Sequence, residues 1–295
     1  MEGSAAPATW QPCAAVWRRR LMSKASAAMK LRRLAWRLGR RVYTYARGDV
    51  RNDPRINGEY WLLNNVIKQS SEPICLIDIG ANEGNWTLQA SRVAGTGARI
   101  AVHAFEPCAT TREVLKARCA GLPWVTIHEQ GMSAICEIRP FYSGGGGSGT
   151  NSLHALSGAN EELVELTTCD EFLRESRIAH VSMLKVDTEG FDFLVLRGAV
   201  GSLAKGNIDI VQFEYNWRWL LNHVCLRDVF DLVKEKPYRL GKLVGGSIEF
   251  YDEWHFEMDR FFENNYVLVK RGSVFEALGT LAFFDHANVA ILKRS

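Results

Sequence analysis

The fold is decided by ICLIDIGANEG, residues 74–84. An apolar strand, Ile74 to Ile79, runs into a turn with glycines at 80 and 84, and Asn82 or Asn85 can cap the helix beyond it. Glycine lets the backbone turn tightly and come close to a ligand with no Cβ in the way. Asp78 precedes the first glycine, and Gly80 and Gly84 stand two residues either side of Asn82. A dinucleotide fingerprint would read G-x-G-x-x-G and seat a pyrophosphate on the helix amino end. A carboxylate at 78 repels a pyrophosphate but suits a cationic methionyl amine or sulfonium. Charge therefore favours S-adenosylmethionine as cofactor over a dinucleotide.

Outward from this turn, short apolar runs alternate with amphipathic segments. RIAVHAF and WVTIHEQ follow, separated by a predicted helix near Ala109 to Ala120; VSMLKVD, a helix from Phe191 to Leu203, IDIVQFE, a helix from Trp217 to Lys234 and a final strand NYVLVK come later. Strands alternating with helices imply right-handed crossovers, a mostly parallel doubly wound sheet, and ligands at the carboxyl ends of the strands. Glu106 lies twenty-two residues after Gly84, where a nucleotide-binding α/β unit needs an acid for ribose hydroxyls, and Pro107 fixes the turn after it. Gln130, Met132 and Ser133 follow the third strand, at the place of an adenine ring, though Met132 serves equally as core.

DIGANEG, FEP (105–107), GTNSL (149–153), KVDTEGFDFLVLRGA (185–199) and FEYNWRW (213–219), in that order, resemble the FkbM-like methyltransferase family over about residues 74–270. The resemblance implies a Rossmann-like class I methyltransferase sheet of seven strands, mostly parallel with an antiparallel last strand. It also implies O-methylation of a hydroxyl on a sugar, glycan or polyketide-type metabolite. By the same similarity Asp78, Gly80, Asn82, Gly84 and Glu106 form the cofactor pocket, with Ser133 added on position alone. Thr188 departs from the commoner Asp-Val-Glu-Gly form but leaves both carboxylates of Asp-Thr-Glu-Gly in place.

Transfer to a hydroxyl needs an aligned acceptor and a group to take its proton. Asp187, Glu189 and Glu214 follow strands and are expected to face one cleft, with Lys185 paired to one of them. His154 ends SGGGGSGTNSLH, residues 143–154, read as a mobile loop that closes over the site or as a plain hairpin connection. His103 and His128 lie within strands and read as structural. Mg²⁺ prefers oxygen ligands and could sit among Asp187, Glu189 and Glu214, but capping and salt-bridging explain the same acids, and no metal is expected. Tyr215, Trp217, Trp219, Trp254, His255 and Phe256 offer flat faces for a sugar ring, or ordinary core.

Composition sets the remaining bounds. The chain's +3 divides into +10 for residues 1–51, where twelve Lys and Arg meet only Glu2 and Asp49, and −7 for everything after. Residues 1–17 read as disordered, and Met22 to Tyr45 as a basic amphipathic helix. Such a helix fits an anionic membrane, RNA, or packing on the domain, and an organelle transit peptide ranks below these. The domains expected are this arm to residue 51, a lead-in helix in 52–73, the methyltransferase domain over 74–272 and a C-terminal segment, 273–295. Seven scattered cysteines with no Cys-x-x-Cys pair argue against disulfides or zinc and for a reducing cytoplasm. A base-directed enzyme would carry Asn-Pro-Pro-Tyr or a nucleophilic Cys after the fourth strand, where this chain has Asp-Thr-Glu-Gly. Nucleic acid is thus disfavoured as substrate. An RNA-directed methyltransferase and a non-catalytic scaffold or membrane-surface module are the alternatives.

Overall fold

The structure, a computed structural model, describes residues 13–71, 73–95, 99–143, 153 and 160–293, with side chains from Ala28 onward. The chain divides between Asp49 and Val50 into two compact units. The first is one helix, α1 (Cys13–Ala46), which begins before the expected Met22 and takes in residues 13–17. No helix of the described residues is long and apolar enough to cross a membrane.

Among the described residues the second unit has thirteen strands. They are β1 (Ile74–Ile79), β2 (Ile100–Phe105), β3 (Val125–His128), β4 (Gly131–Met132), β5 (Glu137–Ser143), β6 (Asn160–Thr167), β7 (Val181–Val186), β8 (Ile208–Tyr215), β9 (Tyr238–Leu243), β10 (Ile248–Tyr251), β11 (Asn264–Lys270), β12 (Gly279–Phe284) and β13 (Ala290–Leu292). The main sheet runs β13-β12-β10-β9-β11-β8-β7-β1-β2-β3, and β4-β6-β5 form a small separate sheet. From β3 to β8 all neighbours are parallel, while β11 is antiparallel to both β8 and β9. The sheet thus has ten strands against the seven the resemblance implies. Of the additional strands β10 and β13 are short, and β12 and β13 are half open to solvent, so their burial leaves little alternation to read in the sequence.

Helices cover both faces of the sheet: α2 (Glu59–Gln69), α3 (Asn85–Ala94), α4 (Ala109–Cys119), α5 (Cys169–Glu175), α6 (Asp192–Gly198), α7 (Val200–Lys205) and α8 (Leu226–Val233). Side chains alternate across a strand, so each central strand feeds two cores. Leu76, Met183, Ile210 and Val267 pack with Leu62, Leu63 and Val66 of α2. Their neighbours Ile77, Leu184, Val211 and Leu268 pack with Phe172 of α5, Leu196 of α6 and Val229 of α8. Each such buried side chain stabilises the fold by about 1.5–3 kcal/mol before entropy is counted. The helix expected over Phe191 to Leu203 is broken at Ala199 into α6 and α7. The one expected over Trp217 to Lys234 is a 3₁₀ turn, Trp217–Asn222, followed by α8, because His223 turns left-handed and Cys225 with Asp228 starts a new helix.

Candidate functional site

The first turn of the site is made where β1 meets β7. Asp187 N donates to Ile79 O at 2.9 Å, which brings the two strand-end loops together. A Cβ on Gly80, whose φ is +77°, would lie 1.9 Å from the Asp187 carbonyl oxygen, so only glycine fits. Asn82 (φ +50°) and Gly84 (φ +81°) continue the curl into α3.

Asp78 lies behind this turn. Its position in β1 shares the parity of Leu76, on the α2 face of the sheet, and it is fully buried. Thr87 Oγ1 donates to its Oδ2 at 2.8 Å, and Lys185 Nζ stands 3.6 Å from Oδ1. Burial raises the Asp78 pKa and Lys185 opposes the rise. Burial works against the Lys185 charge, yet Asp187, Asp78 and Glu59 outweigh it and raise the ammonium pKa.

Glu106 follows β2 and is held by main chain on both oxygens. Asn82 N donates to Oε2 and Cys108 N to Oε1, both at 2.9 Å. Arg112 Nη1 donates to the carbonyls of Glu106 at 3.1 Å and Pro107 at 2.8 Å, fixing the turn from α4. Burial pushes the Glu106 pKa up to about 7 against the pull of these two amides and Arg112.

Gly80, Asn82 and Glu106 open onto a cleft with about 730 Å³ of free space including its solvent-open mouth. Asp187 and Glu189, from the turn after β7, line the same cleft. Lys185 Nζ donates to Asp187 Oδ2 at 3.1 Å, and Arg218 is paired with Glu189 at 2.8 Å. Glu189 has a φ of +54°, a conformation that costs a non-glycine residue about 1 kcal/mol or more. Burial and the nearby Asp187 raise its pKa to about 7, and Arg218 restrains the rise. Three carboxylates and no Lys, Arg or His stand among the described lining residues. The remaining wall is apolar and includes Met132, Phe141, Leu153 and Leu166. Phe141 and Leu166 come from the small sheet, and no sequence motif pointed to them.

Other expected site residues lie elsewhere. Glu214 is buried outside the lining; Asn52 Nδ2 donates to its Oε1 at 3.1 Å and Asn216 Nδ2 to its Oε2 at 2.6 Å. Burial, with Asp187, Asp192, Glu263 and Glu189 around it, raises its pKa well above the usual range. Asp192, fully buried, accepts from Gly190 N and Glu214 N, tying the Asp-Thr-Glu-Gly turn to β8. Ser133 is buried with its N–H on Thr167 O, and neither it nor Gly84 lines the cleft. His154 lies outside the described residues, as does most of the 143–154 loop. His103 and His128 bond to each other at 3.1 Å. Tyr215 and Trp219 are core, whereas Trp217 and Phe256 are exposed. Among the described residues no group of three or more His, Cys, Asp or Glu could hold a metal ion.

The profile of the methyltransferase FkbM domain matches residues 78–264, from Asp78 through the start of β11. The chain belongs to the FkbM methyltransferase family. Among curated proteins none matches it in sequence. Among solved structures, this FkbM domain is similar to an FkbM methyltransferase from Methylobacillus flagellatus KT. The two share 14% identity with a TM-score of 0.41 over 68% of this chain. The chain spans only 44% of that protein's length. A putative rRNA-methylase from Clostridium thermocellum is similar at 10% identity and TM-score 0.42, over 74% of this chain and 97% of that one. A SAM-dependent methyltransferase from Agrobacterium tumefaciens is similar at 10% identity and TM-score 0.39, over 72% and 60%.

Proposed function

We propose that this FkbM-family chain is an S-adenosylmethionine-dependent methyltransferase whose acceptor is a hydroxyl of a sugar, glycan or secondary metabolite. The observation that carries this reading is the cleft itself, where Glu106, Asp187 and Glu189 meet no cation among the described lining residues, beside an apolar wall. That combination suits a cationic sulfonium joined to a flat heterocycle. When bound, the cofactor supplies an electrophilic methyl group.

The chain's residues divide the remaining work. Each Glu106 oxygen has accepted one N–H, and a carboxylate oxygen has two lone pairs, so each keeps one for a ribose hydroxyl. Asp187, oriented by Lys185, places negative charge beside the glycine turn. Glu189 takes the acceptor's proton on the oxygen opposite the one Arg218 engages, and a base titrating near 7 is matched to work at neutral pH. Glu214 and Asp192, behind it, hold the turn that carries Glu189.

Calorimetry with S-adenosylhomocysteine and with NAD tests the cofactor, and a labelled-methyl screen over glycans and hydroxylated metabolites tests the acceptor. Homocysteine-adduct binding with label on a hydroxyl is expected. NAD binding without adduct binding overturns the reading, and binding of neither supports a scaffold instead.

A further inference from the structure

We infer that α1 is an interfacial helix that lies on an anionic lipid bilayer. Residues 13–46 carry ten Lys and Arg and no Asp or Glu. At about 100° per residue, Leu31, Leu34, Leu38, Val42 and Tyr45 fall within an arc of about 80°. Lys30, Arg33, Arg37 and Arg40 fall within a second arc of about 80° that does not overlap the first, and Arg41 borders the apolar stripe. Buried helices hide such a stripe. Here its five members are 60–84% exposed.

The chemistry of the two arcs selects the occupant. A nucleic acid would neutralise the cations but leave five large apolar side chains in water. A second copy of the helix would cover the stripe while setting ten cations against ten. An anionic bilayer satisfies both arcs at once, with leucines in the acyl boundary and guanidinium groups among the headgroup phosphates. Such a helix lies in the interface plane. It would hold the rest of the chain at a membrane surface, whatever that chain methylates.

The full chain is tested by co-sedimentation with vesicles of phosphatidylcholine alone and of phosphatidylcholine with phosphatidylglycerol. Binding is expected only to the second, and is expected to weaken with added salt. Leu34→Gln with Leu38→Gln, which leaves the charge unchanged, should weaken it roughly tenfold or more, as should Arg33→Gln with Arg37→Gln. Circular dichroism and retained S-adenosylhomocysteine binding show that the variants are folded. Undiminished vesicle binding by the leucine pair overturns the inference. So does an absence of vesicle binding, whether the chain then captures duplex RNA or self-associates.

Discussion

Glu106 and Glu189 line one cleft from either side of β1 in the sheet, Glu106 after β2 and Glu189 after β7, and each titrates near 7. Burial is the largest cause in both, but what opposes it differs. Around Glu106 the restraint comes first from two backbone N–H groups, dipoles that the glycine turn and Pro107 hold in place. Around Glu189 the balance is struck between side-chain charges, Asp187 raising the pKa and Arg218 lowering it. A group held by main chain presents the same face to every ligand and suits the recognition of fixed hydroxyls. A group poised between charges changes its proton affinity when a neighbour or ligand changes, and suits proton transfer.

A substitution that wedges the two sides apart should have the largest effect. Gly80→Ala places a Cβ 1.9 Å from the Asp187 carbonyl and demands a positive φ of a residue with a side chain. We expect a loss of more than about 3 kcal/mol of stability, with S-adenosylhomocysteine binding and turnover falling together. Urea denaturation beside calorimetry checks this. Wild-type stability would mean that the two loops are not rigidly joined.

Glu106→Gln should separate the sides. The amide must turn its NH₂ toward either Asn82 N–H or Cys108 N–H, so one donor faces another and the charge is lost. The unmet donor is present with and without ligand and costs about 1–3 kcal/mol of stability. Replacing a charged acceptor by a neutral one weakens each of two ribose hydrogen bonds by about 1 kcal/mol, together roughly a 30-fold fall in S-adenosylhomocysteine affinity. The pH at which turnover rises should stay put. Unchanged affinity would remove Glu106 from the cofactor side.

The two sides also differed in how far the sequence revealed them. The glycine turn and Glu106 lie within one β-α-β unit, where spacing along the chain and spacing in space nearly coincide. Across the cleft the strand-end rule located Asp187, Glu189 and Glu214 along their strands but not on a face of the sheet. Phe213 and Tyr215 belong to the core beneath α8, so Glu214 between them points the other way, toward Asn52. The same parity carries Asp78 out of the cleft. Phe141 and Leu166 reach it only because β6 pairs with β4, which carries Met132, and β5 pairs with β6, a long-range pairing that leaves no local signature.

The sharpest test of the comparison lies in the pH profile. If Glu189 is the base, it must be ionised to act, so kcat/KM should rise with pH through about 7 and then level. Glu189→Gln should abolish that limb and lower kcat about 10²-fold while S-adenosylhomocysteine affinity stays within a few-fold. Arg218→Gln removes the cation that holds the Glu189 pKa down, so the limb should move to higher pH. Stability has its own sign. A carboxylate with a folded pKa raised from 4.5 to about 7 binds more protons folded than unfolded, so wild-type stability should fall as pH rises through that window. With Gln at 189 part of that slope disappears. Arg112→Gln, beside Glu106, should leave the kinetic limb where it is. A limb that moved with Arg112 and not with Arg218 would exchange the roles of the two carboxylates.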